Sequence, residues 1–180
     1  DRLGKKVSDQ WASVGHSQGG HAVLGAAQYA SRAQLNYKGT VAIAPASNLA
    51  SILTIGEQQA STLPINYQIQ MLAQLDTYTA LIVAGMQGHN KSVTYNEVFK
   101  NDTVILAPIA EAECSSTVGV QLGTAMSIYA AGIGQGTLTG YGRLQSGFMS
   151  IPVIDTFLKK DSQPGLAPLN KKVFIYQGEA

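Results

Sequence analysis

Apolar positions fall in two different rhythms along the 180-residue chain. Near the start, Trp11 to Val14 is a short, mostly apolar run of strand length, and Ala22 to Ala33 is an alanine-rich stretch of helix length. Gly39 to Pro45, Gly-Thr-Val-Ala-Ile-Ala-Pro, reads as a second buried strand. Strand, turn, helix, strand is the parallel-sheet unit, in which a crossover helix returns the chain to lay its next strand beside the first. From Ala46 to about Gly147 the strand alternation disappears and helical spacing takes over. Ile65, Ile69, Leu72 and Leu75, with Met71, make a stripe that Ala80 to Met86 continues, and Leu122 to Gly132 carries Met126, Ile128, Tyr129 and Ala130. At the end, Ile151 to Lys160 suits a helix or helical turn. Asp161 to Pro168 is a proline and glycine loop, and Lys172 to Gln177 is a strand. The pattern therefore predicts an α/β chain in three stretches: 1–46 as core, 47–147 as a mainly helical insertion, and 148–180 as a return to the core. Asp1 to Gln10 is read as polar and holding the end of a helix.

Between the first strand and the first helix stands Gly15-His16-Ser17-Gln18-Gly19-Gly20. A serine held between a strand and a helix, with glycines two residues to either side, has the spacing of a nucleophile elbow. There the chain turns so sharply that Cβ atoms would collide and the hydroxyl projects from the sheet. Ser17 is the candidate nucleophile. Gly15, His16, Gly19 and Gly20 set the elbow's geometry, with Gly15 and Gly19 expected to remove crowding Cβ atoms and Gly20 to widen the clearance. The backbone N–H of Gln18, at the start of the helix, is the candidate oxyanion-hole donor, because unpaired N–H groups and the helix dipole favour negative charge there.

Composition narrows the partners. The net charge is +1, only 13% of residues are charged, and no basic run or acidic tail appears, so neither nucleic acid nor an anionic membrane surface is expected. Gly132-Ile-Gly134-Gln-Gly136 and Gly140-Tyr-Gly142 could be mistaken for a dinucleotide loop, but Gly132-x-Gly134 lacks the third glycine at the required offset and has no strand before it; they read as flexible connections, and no cofactor is expected. Cys114 is the only cysteine, which excludes an internal disulfide and a thiolate zinc site; it is expected to be a buried free thiol, with a partner cysteine outside these residues as the alternative. No metal site is expected. Asn90-Lys91-Ser92 and Asn101-Asp102-Thr103 are sequons compatible with a secreted glycoprotein.

These stretches resemble the secretory lipases of the α/β-hydrolase fold, the fungal and bacterial group that carries a large helical cap. Trp11 to Ala33, with Gly-His-Ser-Gln-Gly-Gly, is similar to that family's elbow, and Tyr37 to Leu49 to its next strand and the start of its cap. Phe157 to Ala180, with Asp161-Ser-Gln-Pro-Gly165 and Val173-Phe-Ile-Tyr-Gln-Gly178, is similar to the approach to its acid residue. The resemblance implies a partial α/β-hydrolase parallel sheet with a mainly helical cap, a secreted protein, and hydrolysis of carboxylic esters such as acylglycerols by a Ser-Asp-His triad in that chain order. Ser17 carries over as nucleophile and Gln18 as oxyanion donor. The implied substrate is a lipid or small ester, with transient contact with a lipid interface and no protein partner. The family's aspartate falls at the first residue past Ala180 and its histidine further on. The chain is then expected to be an internal fragment that lacks the acid, the base and the loop carrying the second oxyanion donor, and to turn over little ester by itself.

Other readings stay open. His16 and His21 flank the elbow, whereas a base must face Ser17 from across the pocket, so both are expected to be packing groups. Ser17, Asp76 and His89 are formally a triad, though both partners fall in the insertion. Asp102, Asp155 and Asp161 are expected at surface or capping positions. Two alternatives to ester hydrolysis keep the elbow: a non-catalytic binding module, and an acyltransferase that passes the acyl group to an alcohol or amine. The apolar helical stripes are read either as the insertion's own core or as a cap over a lipid-accepting pocket.

Overall fold

The computed structural model describes residues 7–88 and 90–178, except for the side chain of Asp102. The chain divides into two compact units, one of residues 1–49 and 156–180 and the other of Ala50–Asp155. The boundaries thus fall after Leu49 and Asp155, somewhat later than the breaks at 46 and 147 suggested by the sequence pattern.

The first unit is a parallel sheet. Strand β1 (Gln10–His16) leads to helix α1 (Gln18–Gln28) and then strand β2 (Asn36–Ile43), and β3 (Lys172–Tyr176) lies on the other side of β2. The chain is thus of mixed α/β class, helix-rich, with a three-stranded parallel sheet. Helix α1 starts earlier than the alanine-rich stretch suggests, because the elbow's own Gln18 opens it. It also ends earlier, where Tyr29 gives way to a 3-10 turn over Ala30–Ala33. Val7 to Asp9 are not helical; the rest of the helix end expected before Gln10 lies outside the described residues.

Side chains alternate across the sheet. Thr40 and Ala42 are buried on the face covered by α1, where the Thr40 hydroxyl donates to Val23 O at 3.3 Å and pairs with Ser13 Oγ at 2.5 Å and with the Tyr37 hydroxyl. The opposite face pairs Val14 with Val41 and Phe174, and His16 with Ile43 and Tyr176. Val14, Phe174 and Tyr176 are more than half exposed.

The helical unit holds α2 (Leu49–Ala60), α3 (Ile65–Gln87), α4 (Tyr95–Val98), α5 (Asn101–Leu106) and α6 (Ser115–Ala131); α7 (Pro152–Thr156) ends it and runs into a π-helical turn, Phe157–Asp161. Helix α3 is its axis. Ile69, Leu72, Leu75, Ala80 and Val83 are all buried, as are Leu122, Met126 and Ala130 of α6, so these parts of the predicted stripes form the unit's own core. Helices α3 and α6 approach closely because α6 carries glycine where they meet: a Cβ on Gly119 would lie 3.3 Å from Thr77 Oγ1, and one on Gly123 3.4 Å from Ala73 Cβ. Ile128 instead points outward, 69% exposed. Cys114 is exposed, against expectation, because it is the N-cap of α6 and so sits at the surface end of that helix.

A carboxylate stands in the apolar core. Asp76, on α3, is completely buried and takes two hydrogen bonds from Arg143, Nε to Oδ2 at 2.8 Å and Nη2 to Oδ1 at 2.6 Å; Arg143 also binds Glu57 of α2. Removing the cation would leave a carboxylate in an apolar interior, which costs about 3–5 kcal/mol. Arg143→Met is therefore expected to destabilise the helical unit by about that amount, read as lost hydrogen-exchange protection in α3, whereas Lys91→Met, at an exposed turn, should change it by no more than about 0.5 kcal/mol.

Candidate active site

The elbow forms because strand, turn and helix are compressed into consecutive residues. His16 ends β1 and Gln18 begins α1, so the whole change of direction falls on Ser17, whose backbone adopts φ 55° and ψ −118°. That left-handed conformation is disfavoured for a residue with a side chain and costs on the order of 1–3 kcal/mol. Neighbouring backbone holds it in place: Ser17 N–H donates to Ile43 O at 2.9 Å, and Ser17 O accepts from His21 N at 3.0 Å and Ala46 N at 3.3 Å. Ala44, at φ 43°, is a second left-handed residue at the end of β2, and its N–H reaches across to Tyr176 O at 2.7 Å. Nothing in an Ile-Ala-Pro run announces that turn.

A serine preceding a helix ordinarily caps it through its side chain. Ser17 makes no such hydrogen bond, and the residue is exposed. Its backbone lies outside the extended conformation that a capping residue ordinarily adopts. The first intrahelical acceptor is Ser17 O, which leaves the N–H groups of Gln18, Gly19 and Gly20 without partners inside the helix. Donors and hydroxyl thus meet at the positive end of the α1 dipole.

The glycines divide their work differently from the sequence reading. A Cβ on Gly15 would overlap the carbonyl of Gly19 and come within 2.8 Å of Gly20 N, so strand and helix cross too closely for any side chain. On Gly20 a Cβ would stand 3.0 Å from both Ile43 O and Pro45 Cα. Gly19 needs no such relief, for nothing lies within 4 Å of its missing Cβ. It contributes its carbonyl to the crossing, and its side of the helix faces open space.

Neither elbow histidine serves as a base here. His21 donates from Nε2 to Ser162 O at 2.7 Å, tying α1 to the segment after the π-helical turn, and Gln28 Oε1 adds a second tie by accepting from Gly165 N at 3.1 Å. His16 points to the exposed face of the sheet on β1. Asp76 is engaged by Arg143 inside the helical unit and is no free triad acid; His89 lies outside the described residues, and so does the side chain of Asp102. Asp161 is exposed, and Asp155 is half-buried in α7. Among the described residues no cluster of three metal-binding side chains occurs, and no helix is long and apolar enough to cross a membrane.

Within the helical unit, α3 and α6 border a cavity of about 830 Å³ lined by Ile69, Ala73, Gly123, Ile128 and other uncharged residues. Two hydroxyls on it are turned to their own helices, Thr77 Oγ1 to Ala73 O at 2.7 Å and Ser127 Oγ to Gly123 O at 2.8 Å, so they add little polarity to the lining. Comparison with protein-family models, curated proteins and solved structures returned no match, and the chemistry rests on the chain's own geometry.

Gly15 of β1 and Gly19 of α1 provide a direct check on the elbow. Gly15→Ala is expected to lower the stability of the sheet unit by about 1–3 kcal/mol or more, read from the fluorescence of Trp11, whose ring packs at a tilt against Tyr37 within that unit. Gly19→Ala should be tolerated, shifting stability by no more than about 1 kcal/mol because it adds a helix-favouring residue in open space.

Proposed function

We propose that the chain carries the nucleophile of a serine carboxylic-ester hydrolase of the α/β-hydrolase type, acting on acylglycerols or smaller esters. The observation that supports this most is the left-handed Ser17 with its hydroxyl free of any capping bond at the start of α1. Strain held at a chemically able side chain is unusual unless something uses it. In the reaction Ser17 Oγ attacks the ester carbonyl carbon and passes its proton to a histidine. The Gln18 N–H donates to the oxygen as it becomes negative, and the alcohol departs with the proton returned to it. Water then attacks the acyl-serine, releasing the acid and restoring the hydroxyl. The histidine is neither His16 nor His21, whose positions serve the sheet face and the tie to Ser162. The uncharged cavity between α3 and α6 and the exposed Val120 and Ile128 agree with an apolar acyl substrate and with transient contact at a lipid interface. Secretion belongs to the same reading.

A second reading, a binding module that keeps the elbow without the chemistry, is favoured by the lack of a hydrogen bond from Ser17 to either described histidine. The two separate cleanly. A fluorophosphonate probe applied to the full-length protein is expected to label Ser17, with labelling abolished in Ser17→Ala and retained in His21→Gln. A full-length protein that binds a long-chain ester yet takes no label at Ser17 would establish the module instead.

A further inference from the structure

We propose that Glu57, Asp76 and Arg143 make the helical unit acid-strengthened, because one buried cation is shared between two carboxylates. This is independent of the ester chemistry at Ser17.

The sharing is explicit. Arg143 Nη2 lies 2.6 Å from both Asp76 Oδ1 and Glu57 Oε1, while Nε reaches Asp76 Oδ2 at 2.8 Å and Nη1 reaches Glu57 Oε2 at 3.1 Å. Asp76 holds the Nε and Nη2 edge of the guanidinium and Glu57 the Nη1 and Nη2 edge, so Nη2 is shared and one cation serves both carboxylates. With all three groups ionised the cluster is net negative, and it sits where that excess is poorly screened. The Asp76 side chain has no exposure and Arg143 only 10%, while Glu57 is at the rim with 38%. Leu53, Leu75, Leu144, Phe148 and Met149 line a cavity of about 260 Å³ beside Glu57, so the surroundings are apolar.

The charged groups that bear on Asp76 are Glu57 from α2 and Arg143 from the connection after α6; on Arg143 they are Asp76 and Glu57. Lys100, packed nearby, meets Arg143 through its backbone N–H, which donates to Arg143 O at 3.1 Å. Burial pushes the Asp76 carboxyl above the ordinary aspartate range; Arg143 opposes the rise and Glu57 adds to it. Burial also works against the charge of Arg143, yet its bonds to Asp76 and Glu57 hold it above the ordinary arginine value, so it remains a cation. The proton the cluster gains therefore resides on a carboxylate.

A carboxyl raised in the folded state binds its proton at pH values where the unfolded chain has already released it. Between the ordinary aspartate value and the raised one, the folded unit holds more protons, and its stability rises as pH falls. A carboxylate stabilised in its ionised form by a partner of its own behaves in the opposite way.

Hydrogen exchange of α3 peptides in the full-length chain, corrected for intrinsic rates, tests this from about pH 7 down to about pH 4, the ordinary aspartate value. Relative to Asp76→Asn, the wild-type opening constant is expected to fall on acidification by up to about tenfold per pH unit, the slope of one proton. Glu57→Gln, at the half-exposed rim, leaves one cation with one carboxylate and should weaken the gain; it serves as the comparison if Asp76→Asn fails to fold. Parallel pH profiles in wild type and in whichever of these variants folds would overturn the proposal, and so would wild-type protection that falls with acid relative to that variant.

Discussion

The sheet unit depends on one close approach, that of the β1 backbone at Gly15 to the carbonyl of Gly19 in the first turn of α1. With that contact allowed, strand and helix can follow one another with a single residue between them. Ser17 then has to absorb the whole change of direction, and its left-handed backbone follows. The cost of that conformation is offset by hydrogen bonds to Ile43, His21 and Ala46, which bind the elbow to the end of β2 and to the first turn of its own helix. Strain, exposed hydroxyl and free helix N–H groups are thus consequences of one packing distance.

The helical unit is organised on a different principle. Its long axis, α3, is surrounded on most sides, and Thr77 and Thr79 can be buried there because their hydroxyls donate to the carbonyls one turn back. Asp76 has no such local remedy. Its charge is met by Arg143 from far along the chain, and the same guanidinium holds α2 through Glu57. An ion cluster of this kind contributes little net stability against well-packed apolar groups, yet losing one member is costly, so it fixes how α2, α3 and the connection after α6 are joined.

The proposed chemistry falls on one side-chain hydroxyl and the backbone donors beside it. Ser17 and Gln18 occupy the carboxyl end of β1, the end at which parallel α/β sheets present their functional residues. His21, chemically the most versatile neighbour, is instead a structural tie that fastens α1 to Ser162.

Much of this was legible in the residue pattern. The strand run at Trp11–Val14 lies within an observed strand, those at Gly39–Pro45 and Lys172–Gln177 overlap one and run a residue or two past its end, and the α3 stripe marks a helix, because periodicity reports which side of an element is buried. The elbow was legible too, since few backbones other than a tight strand-to-helix turn ask for glycine on both sides of a serine. Roles that depend on distance in three dimensions were not. That Gly15 and Gly20 face crowding while Gly19 faces open space, that Cys114 lies at a surface cap, and that Asp76 is clamped by Arg143 all follow from packing between segments remote in sequence. Neighbours along the chain set the kinds of element and the place of the turn, so residue order carries them. Which atoms approach within 3 Å depends on neighbours across the fold, and residue order does not carry that.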